Sequence, residues 1–236
     1  MSDARHAVVR AAHMLPAILL LLIGSAASPR AGAVTGQLAL LERPGGARRD
    51  LGTAIVYLEA VDGRSTDDRG GAPAEASIVM RGREFTPRVA VVRRGGTVAF
   101  PNQDPYSHNV FSNTEPVTFD LGLYRRGATR SASFGRGGIY PIYCNIHARM
   151  VSYVIALSTP YVAHADDAGR FTLPDVPVGT YRLHVWHERA ARASQDLVVT
   201  AAGASARVEL DARGYVAGAH LNKFGVPYAA TRNDRY

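Results

Sequence analysis

The chain has 236 residues, 47% of them hydrophobic and 20% charged, with a formal net charge of +7 at neutral pH. That length allows one large core or two small ones, and the composition excludes general disorder and a multi-span membrane protein. The basic residues form no run with interleaved aromatics, so nucleic acid is not an expected partner, while the positive surface favours encounter with acidic proteins.

Arg5 and Arg10 precede an apolar run over residues 14–23, and small residues follow it. Ala31-Gly32-Ala33 fits an A-x-A cleavage pattern. Residues 1–33 therefore read as a secretory signal peptide, with Val34 as the mature start and a second candidate cut after Ala27. The run is short for a bilayer span, and no other stretch reaches that length. The expectation is a periplasmic or secreted protein with no membrane span once the signal is removed.

Beyond the signal, short alternating runs are separated by Gly, Pro, Asp and Asn turns, which predicts an all-β protein. Strands are expected at 36–41 and 53–60, and residues 61–75, rich in Gly, Asp, Arg and Ser, read as a flexible loop. Strands at 88–92 and 97–100 flank the Gly95-Gly96 turn, and others follow at 117–121, 131–134, 139–144 and 151–157. After Pro160 come strands at 170–173, 180–187, 196–200 and 206–210, with turns at Asp166-Asp167-Ala168-Gly169 and Pro177-Val178-Gly179. Residues 213–236 show no periodicity and read as a tail.

The single cysteine, Cys144, is unusual in an exported chain, where cysteines pair as disulfides. A lone thiol there is either buried as a small hydrophobe or bound to a metal. The surrounding residues point to the metal. Cys144, His147 and Met150 form Cys-x-x-His-x-x-Met, and His108 lies thirty-six residues upstream in Ser107-His108-Asn109. A thiolate and two imidazoles in a plane, with a weak thioether above it, are the donor set of a blue-copper site. Zinc is the chemical competitor, but a thioether is a poor zinc ligand. By period two, Tyr140, Ile142 and Cys144 share one face of a strand, so the sulfur leaves the core pointing at the ion. Asn109 stands beside His108 and is expected to tie the two ligand loops together.

The string V-x-x-G-G-T-V-x-F-x-N-x-D…H-N-V-F-S…G-x-Y-x-x-Y-C-x-x-H-x-x-M, over roughly residues 84–157, resembles plastocyanin and amicyanin of the cupredoxin family. The resemblance implies a Greek-key β-sandwich binding one type 1 copper ion through His108, Cys144, His147 and Met150. It also implies single-electron exchange with redox protein partners, with His147 near the surface as the electron port. Arg149 departs from the proline that often neighbours that histidine in plastocyanin-like loops. Residues 36–40 and 53–59, together with A-D-D-A-G-R-F-T-L-P-D-V-P-V-G-T-Y-R-L-H-V from Ala165, resemble carboxypeptidase-regulatory-like domains, which are small Ig- or transthyretin-like sandwiches. The expected layout is a cupredoxin unit at 76–157 inserted into a sandwich built from 34–60 and 158–212, the alternative being two consecutive domains. The arrangement as a whole is similar to bacterial proteins described as methylamine-utilisation or plastocyanin-like.

His164, His184, His187 and His220 are expected to be structural. The absence of further histidine clusters or a His-x-His pair argues against a multicopper enzyme, so no catalytic activity is expected. A copper carrier or sensor without redox turnover is the alternative function.

Overall fold

The protein is described from a computed structural model covering residues 31–43, 50–63 and 72–228. The residues expected to form the apolar run of the signal, most of the 61–75 loop, and residues 229–236 lie outside the described residues. Among the described residues, seventeen strands and a single 3-10 turn at Leu51–Thr53 make the fold all-β. Among the described residues no helix is long and apolar enough to cross a membrane.

Two sandwiches share a face. The outer one uses the beginning and the end of the chain. Strand β1 (Ala31–Leu41) runs antiparallel to β14 (Arg170–Pro177) and parallel to β17 (Ala204–Asp211). Facing them, β2 (Ile55–Ala60) lies between β13 (Val162–His164) and β15 (Gly179–His187), and β16 (Ala190–Val199) completes the sheet. The early strands thus pair with segments after Pro160 and not with residues 84–157.

The inner sandwich is continuous. One sheet has the order β6 (Val89–Arg93), β12 (Val151–Leu157), β11 (Gly138–Cys144), β8 (His108–Ser112) and β9 (Phe119–Tyr124). The other joins β10 (Thr129–Ser133), β7 (Thr97–Pro101) and β3 (Glu75–Ser77), and a two-stranded ribbon, β4 (Val79–Arg81) with β5 (Glu84–Thr86), stands at its side. Phe100, Phe134, Tyr140, Ile142 and Val154 fill the space between the sheets.

Period-two alternation builds the stack. In β2, Val56 and Leu58 enter the outer core, while Ile55 and Tyr57 turn the other way. They meet Trp186 of β15 and Val89, Val91, Ile155 and Leu157 of β6 and β12, whose alternate residues Ala90, Val92, Val154 and Ala156 serve the inner core. A strand buried on both faces reads as an unbroken apolar run, which is how β2 reads. At the rim, Arg88 binds Glu188 with Nε and Nη2 at 3.0 and 2.6 Å from Oε2, and donates from Nη1 to the Val151 carbonyl at 2.6 Å.

The structure adds to three expectations. First, β1 starts at Ala31, three residues before the expected mature start at Val34. A Cβ on Gly32 would lie 2.3 Å from the Thr200 carbonyl oxygen, so this glycine is fitted to its place in the sheet. The cut after Ala27 leaves β1 whole. Second, the expected loop ends in ordered chain: Pro73 and Ala74 accept hydrogen bonds from Arg93 and Thr97, and Glu75 opens β3. Third, within residues 213–228, which read as a tail, the part from His220 to Tyr228 lies against the inner sandwich.

The shared layer should control stability. Trp186→Ala is expected to cost about 3–5 kcal/mol, as for other large aromatic truncations in a core. Urea unfolding followed by circular dichroism measures it, and a loss below about 1 kcal/mol would mean that the sandwiches do not depend on this layer.

Candidate metal centre

Cys144 ends β11, on the buried face that also carries Tyr140 and Ile142. The chain then turns through residues 145–149 and re-enters the sheet as β12. Two backbone hydrogen bonds close this turn: Met150 N–H donates to the His147 carbonyl at 3.0 Å, and Cys144 N–H donates to the Met150 carbonyl at 3.2 Å. The turn brings His147 back over Cys144, with Nδ1 3.4 Å from Sγ. From β8, His108 places its Nδ1 3.6 Å from the same sulfur. One ligand atom from each of the three residues lies within 4.8 Å of the others. Met150 is buried and packs in the same apolar cluster as Cys144.

Two donors bound to one ion at about 2.0 Å (nitrogen) and 2.3 Å (sulfur), subtending a near-trigonal angle, lie roughly 3.5 Å apart. The observed separations fit that spacing. The chemistry fits as well: one thiol, two imidazole nitrogens and a buried thioether on the same turn are a soft, nitrogen–sulfur set suited to copper.

Burial pushes the Cys144 thiol up, and the backbone amides of Ile146, Asn109 and His147 act against that rise by hydrogen bonding to it. Desolvation disfavours the thiolate, and a bound cation reverses the preference.

His108 is fully buried, and its far nitrogen is held by an acid. Nε2 lies 2.7 Å from Asp104 Oδ2. Burial opposes ionisation of Asp104, but hydrogen bonds from the Arg83 amide, the His108 ring and the Gly82 amide outweigh it and hold the carboxyl below its ordinary value. The two amides reach Oδ1 and Oδ2 at 2.5 and 2.9 Å. They come from the turn between β4 and β5, where Gly82 and Arg83 both have positive φ, 64° and 61°. An ionised carboxylate only accepts, so the ring proton sits on Nε2 and the Nδ1 lone pair faces Cys144. Asn102 secures the intervening loop: its amide donates to the Tyr106 and Tyr124 carbonyls, and its Oδ1 accepts from Asp104 N–H at 2.9 Å. In the sequence Asp104 is only the last residue of the N-x-D string and carries no legible role. The signal that could have found it is a carboxylate four residues before a ligand histidine.

Asn109 joins the ligand segments through its backbone rather than its side chain. Its carbonyl accepts from Asn145 N–H at 3.3 Å, whereas its Nδ2 donates to Asp120 Oδ1 at 2.5 Å. The other histidines differ. His184 stacks on Tyr57 at 4.9 Å between ring centroids and lies 3.2 Å from Glu59. His187 is fully buried near Asp50, and His164 is exposed at the end of β13. None of these three joins a three-ligand group among the described residues. His220, expected to be isolated, instead lies against the metal loop, with Nε2 3.1 Å from the His147 carbonyl.

The fold and the site together define an all-β sandwich protein with a buried cluster of two histidines and one cysteine able to hold a metal ion. Solved cupredoxins are among its structural neighbours. A novel purple cupredoxin from Nitrosopumilus maritimus is 24% identical, with a TM-score of 0.32 over 34% of this chain and 98% of that one. Amicyanin from Paracoccus versutus is 16% identical, with a TM-score of 0.33 over 42% and 97%. A copper-containing nitrite reductase from Thermus scotoductus is 19% identical, with a TM-score of 0.32 over 50% of this chain and only 28% of its own. The family described as polysaccharide lyase family 4, domain II, matches residues 147–208, about a quarter of the chain. The family match is thus not the expected carboxypeptidase-regulatory-like one; it runs from the inner sandwich at residue 147 into the outer one and leaves out β1 and β2. The longest stretch behind that resemblance forms β14 and β15, one in each sheet of the outer sandwich, and their turn-and-alternation pattern is not specific to one small sandwich. No curated protein matches the sequence.

Asp104→Asn removes a charge and leaves one of the two turn amides without an acceptor. The metal-free variant is expected to lose about 2–3 kcal/mol at neutral pH, the scale of a buried hydrogen bond to a charged group. Because the native carboxyl is held low, the wild-type advantage is full above the ordinary carboxyl range and fades as pH falls through the native value. Denaturant titrations of both proteins from pH 7 into strong acid test the size and the direction.

Proposed function

We propose that this is an exported type 1 copper protein that holds one ion on His108, Cys144, His147 and Met150 and passes single electrons between protein partners. The observation behind this reading is the convergence of two imidazole nitrogens on one buried sulfur, at 3.4 and 3.6 Å, from a strand and a closed turn. Copper, when bound, supplies a one-electron couple between Cu(II) and Cu(I). The chain supplies rigidity. Asp104 fixes the His108 ring, three amides face the Cys144 sulfur, and the 144–150 turn is closed by its own backbone. Donors held in this way need little movement when the charge of an ion changes, and rapid electron exchange requires that. His147 is only partly buried, so it is the ligand through which a partner would exchange electrons. The basic composition favours an acidic partner. We assign no catalytic activity.

Adding Cu(II) to the purified protein should give an intense thiolate-to-copper absorption band that reductant bleaches reversibly, and Cys144→Ser should abolish it. Tight Cu(I) binding without the band would favour copper carriage or sensing, and no copper binding would sink both readings.

Export makes a separate prediction. N-terminal sequencing of the protein recovered from outside the cytoplasm should find a start at or before Ala31, as the cut after Ala27 requires. A start at Val34 would mean that β1 forms without its first three residues.

A further inference from the structure

We propose that residues 215–228 are part of the metal centre, with His220 and Tyr228 acting as positioning residues for the ligand turn. The segment has no regular secondary structure, yet it bonds to four successive points of that turn. Tyr228 Oη donates to the Cys144 carbonyl at 2.8 Å. Lys223 N–H donates to Asn145 Oδ1 at 2.9 Å. His220 Nε2–H donates to the His147 carbonyl at 3.1 Å, and His220 N–H donates to the Ala148 carbonyl at 3.0 Å. The carbonyls of two residues expected to be ligands are therefore held from outside the inner sandwich.

The segment is itself braced. Asn222 Oδ1 accepts from the Phe224 and Val226 amides at 2.9 and 3.0 Å, and Gly225, at φ 76°, completes the turn. The His220 ring lies 4.5 Å from Tyr143, 5.4 Å from Tyr228 and 6.2 Å from Phe111, so β8, β11 and the segment share one aromatic cluster. A second route runs through charge. Lys223 Nζ lies 2.5 Å from Asp120 Oδ2, and the other oxygen of Asp120 accepts from Asn109, the neighbour of His108. The segment thus braces both sides of the metal centre, the Cys144–Met150 turn directly and the His108 strand through Asp120. A cleft of about 600 Å³ remains between the segment, the turn and the β4–β5 ribbon, and His147, Met150, His220 and Tyr228 are among the residues lining it.

An irregular turn keeps its shape only if its carbonyls have partners. Outer partners of metal ligands typically contribute 10–100-fold in metal affinity. The test uses the full chain with Tyr228→Phe, which removes one hydroxyl, and His220→Phe, which keeps a ring but removes the bond to His147. Val216→Ala, at a residue 78% exposed just before these contacts, is the control. In the copper-loaded protein, each positioning variant should release copper to a chelator about tenfold faster and should shift the absorption and paramagnetic-resonance signature. The control should do neither.

The spectroscopic arm rests on the copper reading, so a second arm is independent of it. In the metal-free protein, hydrogen exchange at the 145–150 amides should quicken in both variants and stay at the wild-type rate in the control. Quickened exchange with no copper signal even in the wild type would overturn the copper reading and uphold the bracing role. Wild-type exchange in both variants, or equal effects in the control, would overturn the bracing role.

Discussion

A cysteine sulfur stands at zero exposure in an apolar core, and the neighbouring groups answer that constraint. Burial alone keeps a thiol protonated. Three backbone amides and two imidazoles surround the Cys144 sulfur, and each is held in place by groups further out. The chain of support runs outward from there. The His108 ring is set by Asp104, Asp104 by the amides of a ribbon turn with two positive φ values, and the connecting loop by Asn102. The ribbon of β4 and β5 is small and sends Met80 and Phe85 into the inner core. Its position makes sense as a clamp on a carboxylate.

The parts of this arrangement that could be seen in the sequence are those where spacing is local. Cys144, His147 and Met150 sit three residues apart on one turn, and alternation along 139–144 gives the direction of the sulfur. His108 was visible as a residue, but its strand was not, because all five residues of β8 are buried and show no alternation. The three-residue strands β3, β4, β5 and β13 are too short to carry a period. Asp104 and His220 were unreadable as partners because their contacts depend on tertiary neighbours, a turn amide in one case and a loop carbonyl in the other. Residues 213–228 lack a repeating pattern for the same reason: they are held bond by bond, and each bond has a different partner.

The outer sandwich shows a different kind of legibility. The apolar run of β2 announced burial, but not that its alternate residues would serve two separate cores. That follows from docking onto the outer face of β6 and β12, where Val89, Val91, Ile155 and Leu157 are presented every second residue. A sheet with one apolar face needs one partner, while a sheet with two needs a layer on each side. The sole tryptophan, Trp186, occupies this shared layer, tilted against Tyr153 with ring centroids 4.9 Å apart.

The parallel pairing of β1 with β17 joins residues about 170 positions apart, Val34 opposite Ala204 and Leu41 opposite Asp211. Loop closure over such a separation is slow, and contacts of this kind form late. The inner unit, closed by hairpins and short crossings, does not wait for it. During synthesis the thiol-bearing core can therefore assemble while β17 is still absent. The outer sandwich closes next, and the segment that follows β17 comes last. In kinetic terms there is an interval in which His108, Cys144 and His147 are gathered while the segment that bonds to their turn has yet to arrive.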